Sequence, residues 1–121
     1  MKFVLITKDS ALVESAQKGF HPDDELHVYA DWRVALENCA DVDLMFVDLI
    51  ATLLEPHKIE GYEQFALAKM KHPVAGPVKL ALLSPPEDYE LDFMAGFPDF
   101  IYLHYRHPID YKIFRRASTW V

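Results

Sequence analysis

Four short runs of the chain are apolar at every position: Phe3-Val4-Leu5-Ile6, Leu44-Met45-Phe46-Val47, Leu80-Ala81-Leu82-Leu83 and Phe100-Ile101-Tyr102-Leu103. A strand turns successive side chains to opposite faces, so an unbroken apolar run needs cover on both. A parallel sheet between two layers of helices supplies that cover; an antiparallel sheet with one wet face does not. A fifth run, Leu26-His27-Val28-Tyr29-Ala30, alternates and reads as an edge strand.

Helical patterns separate these runs. Leu12, Ala16 and Phe20 recur at i, i+4, i+8, with Asp9 or Ser10 to cap the start and Gly19 at the stop. Asp31 can cap a second helix carrying Trp32, Ala35, Leu36 and Cys39. A third covers Tyr62 to Lys71, with Phe65, Ala68 and Met70 inward. A fourth runs from Pro86 to Ala95, its proline and acids suiting a first turn, and a fifth from Asp110 to Thr119. Strand and helix alternate throughout. Right-handed crossovers then give an α/β, doubly wound, five-stranded parallel sheet of order 2-1-3-4-5 flanked by five helices, in a single domain over residues 1–121.

Composition narrows the function. Twelve Lys and Arg against nineteen Asp and Glu leave a net charge of −7, which disfavours direct binding to nucleic acid. One cysteine excludes an internal disulfide and a thiolate zinc cluster. No apolar stretch approaches a membrane span, and the run after Lys2 is too short for a signal-peptide core, so the expected location is the cytoplasm.

In a doubly wound sheet the ligand site lies beyond the C-terminal ends of the strands. That rule selects Thr7, Lys8 and Asp9, then Asp48, then Ser84, then the segment reaching His107. Asp48 closes the third run, as a nucleophile or metal ligand or as a turn-forming carboxylate. Ser84 closes the fourth, as a hydroxyl for a bound anion or as a helix cap. A zinc pair from His104 and His107 lacks an obvious third ligand. A Ser84-His107-Asp48 triad lacks the Gly-x-Ser-x-Gly elbow that exposes a nucleophile.

The order of these segments resembles a response-regulator receiver domain over most of the chain. Lys2 to Ile6 with the polar cluster after it resembles the family's first strand and acidic turn. Asp43-Leu44 to Asp48-Leu49 resembles the phosphoacceptor strand, and Pro77-Val78 to Ser84 the fourth strand with its switch hydroxyl. Ala95-Gly96, the aromatic-rich run and Pro108 resemble the fifth-strand region. The resemblance implies that Asp48 takes a phosphoryl group from a phosphohistidine partner. It also implies that Mg²⁺ is held by an acidic pair with Asp48, and that a hydroxyl (Ser84) and a cation contact the phosphoryl oxygens.

Several positions depart from that pattern. The acidic pair is Thr7 and Lys8, which leaves Asp9 and Asp48 as the carboxylates for a metal, and Asp9 also suits a helix cap. His107-Pro108 stands where the family has Lys-Pro. Thirteen residues separate Asp48 from Gly61, a lengthened connection in which Leu53, Leu54 and Ile59 either lid the site or pack on the next helix. Tyr102, His104 and Tyr105 all compete for the family's switch aromatic.

The expectation is a degenerate (pseudo-) receiver of a two-component phosphorelay. It would act mainly as a protein–protein interaction module and not as an enzyme, with no certain cofactor. Its partner would be a histidine kinase or an output protein, and a homodimer is compatible with the fifth helix. Tyr102, Tyr105, Arg106, Tyr111, Arg115 and Arg116 are the candidate contacts, being of types enriched at binding hot spots. The alternative is a phosphorylatable switch that accepts a phosphoryl group on Asp48.

Overall fold

The computed structural model describes residues 1–87 and 100–120. Five strands, β1 (Lys2–Ile6), β2 (Glu25–Tyr29), β3 (Leu44–Asp48), β4 (Lys79–Ser84) and β5 (Leu103–Arg106), form one all-parallel sheet of order β2-β1-β3-β4-β5. Around it, among the described residues, are the helices α1 (Ser10–Gly19), α2 (Trp32–Leu36), α3 (Leu49–Thr52), α4 (Glu60–Lys71) and α5 (Tyr111–Arg115), followed by a 3₁₀ turn at Ala117–Thr119. This is the doubly wound fold expected from the apolar runs.

The unbroken runs serve two cores. Val4, Ile6, Met45, Val47, Leu80 and Leu82 face one layer with Trp32 and Phe65. Their alternate neighbours Phe3, Leu5, Leu44, Phe46, Ala81 and Leu83 face the other, with Leu12, Phe20 and Phe114. Each fully buried large side chain contributes about 1.5–3 kcal/mol of transfer free energy, so a polar residue within such a run would be costly on either side.

The helix starts follow the sequence. Asp9, Asp31 and Asp110 cap α1, α2 and α5, accepting from the amides of Ala11, Arg33 and Lys112 at 2.9, 2.9 and 3.1 Å. Gly19 differs in its reason. It ends α1 without a positive φ, and a Cβ there would lie 2.2 Å from the Tyr111 carbonyl oxygen. It is a contact glycine that lets α1 and α5 approach. Gly61 does the same for α4, where a Cβ would meet the Thr52 carbonyl oxygen at 2.1 Å.

Other expectations shift. The fifth strand begins at Leu103, not Phe100. Phe100 and Ile101 pack on the first core ahead of it. An edge strand alternates in burial, as β5 does, so the continuous apolar run marked the approach to the strand and not the strand itself. Met70 points outward, 59% exposed, and Lys69 is buried in its place. The Lys69 ammonium donates to the carbonyls of Gly76 and Val78 at 3.1 and 2.6 Å, which ties α4 to the turn before β4. Helix α3, directly after Asp48, was not legible as a helix. The expected helix from Pro86 to Ala95 lies largely outside the described residues.

Candidate functional site

Strand alternation decides which side chains meet beyond the sheet. In β1, Phe3 and Leu5 face the α1/α5 layer, and Thr7 continues that series one residue past the strand. In β3 it is Leu44 and Phe46, then Asp48; in β5 it is Leu103 and Tyr105, then His107. The backbone fixes both flanking residues. The Thr7 amide donates to the Tyr29 carbonyl at 3.0 Å, and the His107 amide to the Ser84 carbonyl at 2.8 Å. His107 precedes Pro108 through a cis peptide bond.

The three side chains converge. Asp48 is buried, and although it stands at the N-cap position of α3 its carboxylate makes no capping bond. Its Oδ2 accepts from the Thr7 hydroxyl at 2.8 Å. Its Oδ1 lies 3.2 Å from His107 Nε2. A carboxylate only accepts, so the contact places a proton on Nε2. Thr7 Oγ1 in turn accepts from the Asp9 amide at 3.1 Å, which leaves its own proton for Asp48.

A cavity of about 320 Å³ opens beside this group, lined by Lys8, Asp9, Asp48, Ile50, Ala51, Pro86 and His107. Lys8 is exposed on its wall and makes no ion pair with Asp48; the side chain of a basic residue that reaches Asp48 is that of His107. Leu53 and Ile59 pack against the first core, while Leu54 is exposed.

Ser84 is buried but turned to the other layer, in register with Leu80 and Leu82. Its Oγ lies 2.7 Å from His104 Nε2. The triad order is therefore not assembled: Ser84 meets His104, and His107 meets Asp48. The same alternation separates the two histidines, which removes the zinc pair. Of the three competitors for the switch aromatic, His104 is the one in contact with Ser84. Sequence reasoning ranked it no higher because the fifth strand was placed three residues early.

The Mg²⁺ implied by the receiver resemblance can be tested against these donors. Mg²⁺ takes octahedral oxygen ligands, usually one or two carboxylates plus waters. Asp9 lines the cavity, but its Oδ1 caps α1. Both Asp48 oxygens face protons of this chain, and Lys8 adds a positive charge to the wall. Among the described residues no group of three or more His, Cys, Asp or Glu is arranged to hold a metal. The residues present do not fit the ion.

The candidate contact residues divide. Tyr102 is nearly half exposed, with its hydroxyl donating to the Trp120 carbonyl at 2.7 Å and Lys79 over its ring. Tyr105 stacks on Trp120, and Tyr111 has Lys18 over its ring at 4.4 Å with Arg115 alongside. Arg115 reaches the carbonyls of Gly19 and Lys18. Arg106 and Arg116 are exposed. Among the described residues no helix is long and apolar enough to cross a membrane.

Burial perturbs three groups elsewhere. It pushes the Tyr62 phenol and the Cys39 thiol above their ordinary ranges, and holds the Lys69 ammonium below its own.

Comparison with known proteins gives the same fold. A response-regulator candidate from Chloroflexus aurantiacus J-10-fl superposes with a TM-score of 0.68 at 14% identity, over 98% of this chain and 95% of that one. The phosphorylated cyanobacterial phytochrome response regulator RcpA superposes with a TM-score of 0.73 at 13% identity, over 98% and 91%. No family model matches the chain, and no curated protein does. At such identities the likeness is one of fold.

Proposed function

We propose that this chain, which has the fold of response-regulator receivers, is an atypical receiver domain of a two-component phosphorelay. It works mainly by binding a signalling protein and not by metal-dependent phosphorylation. The observation that carries this reading is that Asp48, the residue at the acceptor position, is closed within the chain by Thr7 and His107. Phosphoryl transfer to a carboxylate needs that oxygen free and the incoming charge compensated. Here the oxygens are engaged, and the acidic pair is replaced by a hydroxyl and an ammonium.

Binding would use the exposed side chains around β5 and α5. Tyr102, Arg106 and Arg116 supply an exposed aromatic and two exposed guanidinium groups on an acidic protein. Tyr105, Tyr111 and Arg115 are engaged within the chain, by Trp120, Lys18 and the carbonyls at the end of α1.

The deciding experiment is incubation with acetyl phosphate and Mg²⁺, read by intact mass and by the backbone amide spectrum around Asp48 and Ser84. The expected result is an unmodified chain with an unshifted spectrum. A phosphoryl adduct that disappears in Asp48→Asn would replace this reading with the phosphorylatable switch.

A further inference from the structure

The donor set at Asp48 disagrees with the Mg²⁺ that the receiver resemblance implies, and the disagreement has a specific cause. The Thr7 hydroxyl is held from both sides. Its oxygen receives the Asp9 amide proton, its own proton goes to Asp48 Oδ2, and its backbone amide is anchored on Tyr29. Its proton and one of its two lone pairs are engaged, so it offers a cation at most one neutral oxygen donor in place of a carboxylate. His107 covers Oδ1 and is anchored through its amide to Ser84. One oxygen of the Asp9 carboxylate, Oδ1, accepts from the amide of Ala11 as the α1 cap. Lys8, with no salt-bridge partner among the described residues, lines the remaining opening.

We propose that Thr7 and His107 take the coordination positions a divalent cation would need at Asp48, with Lys8 guarding the opening. The edge is then refractory to divalent cations, and it becomes a metal site once carboxylates replace Thr7 and Lys8. Thr7→Asp puts a carboxylate where the hydroxyl now faces Oδ2. Lys8→Asp removes the repelling charge and adds a second donor to the cavity wall. His107 remains a competitor for Oδ1, so its removal should strengthen binding further. The inference concerns the same edge as the proposed function but does not rest on partner binding, which is read on a different surface.

The test is a Mn²⁺ titration of the full chain, following paramagnetic broadening of backbone amides. In the wild type, amides near residues 8, 48 and 107 should broaden no more than in Asp48→Asn. In Thr7→Asp/Lys8→Asp the same amides should broaden selectively, and Asp48→Asn should abolish the effect. Adding His107→Ala should tighten Mn²⁺ binding, because it removes the ring nitrogen that competes for Asp48 Oδ1. Selective, Asp48-dependent broadening in the wild type would overturn the proposal. So would a folded double variant that gains none, or a His107→Ala addition that leaves affinity unchanged. If Thr7→Asp prevents folding, Lys8→Asp/His107→Ala takes its place. It is expected to gain Asp48-dependent broadening, and a folded protein that fails to do so overturns the proposal equally. Metal binding in the wild type would also weaken the metal-independent part of the proposed function, which the acetyl phosphate experiment tests separately; failure of the double variant alone would leave that reading untouched.

Discussion

Replacing Thr7 by Val keeps the shape of a side chain that is only 3% exposed and removes its hydroxyl. Two bonds are lost. The bond to Asp48 is to a charged acceptor, a class worth about 1.5–3 kcal/mol, and it leaves a buried carboxylate oxygen without its donor. The bond from the Asp9 amide is partly buried and adds a smaller amount. The expected loss of stability is about 2.5 kcal/mol. For a chain of this length that corresponds to a midpoint lower by about 10 °C. Urea unfolding, with the slope checked for constancy, measures the first; calorimetry measures the second. The cycle with Asp48→Asn assigns the cause. A neutral amide is a weaker acceptor, so Thr7→Val should cost at least about 0.5 kcal/mol less in that background, beyond the error of additivity. A Thr7→Val variant as stable as the wild type, or an equal cost in both backgrounds, would show that Thr7 does not hold Asp48.

Gly19→Ala would press a Cβ against the Tyr111 carbonyl and the Phe114 side chain, so a loss of about 2 kcal/mol is expected in urea, well above the usual cost of an exposed substitution. Asp9→Ala removes the α1 cap and should cost about 1 kcal/mol without moving the His107 ring resonances, because the Asp9 side chain does not touch Asp48. Among the described residues the buried Tyr62 hydroxyl has no partner, so Tyr62→Phe should leave stability unchanged or raise it by about 1 kcal/mol. The same variant has a pH signature. The folded phenol lies above its ordinary value of 10.0, so above that pH the unfolded chain loses its proton first and stability falls. Tyr62→Phe should remove that part of the alkaline loss, and an unchanged alkaline slope would show that Tyr62 is not its source.

Asp48 was found from the sequence because it ends a run that must be a central strand, and the end of a central strand is where a doubly wound sheet exposes chemistry. The capping roles of Asp9 and Asp31 were legible for a similar reason, since a short acceptor ahead of a helical period has few other uses. His107 was singled out by position, but its partner was not evident. That partner depends on strand alternation counted from the true start of β5, and Phe100 and Ile101 disguised the start by being apolar for another reason. The pairing of Ser84 with His104 was hidden by the same offset. Lys69 gave no signal, because a lysine in a helical period reads as solvent-facing unless the carbonyls it will meet are known.

By itself the sequence determined the layered α/β order, the two-sided burial of the central strands and the edge where a site must lie. These follow from local periodicity and from the rule that a strand apolar on both faces must be covered on both. Only the tertiary structure decided that Asp48 is held by Thr7 and His107, that Ser84 turns away to His104, and that Gly19 serves a helix contact. Such pairings join residues from separate strands and helices. They are set by register and distance, which one-dimensional patterning does not carry.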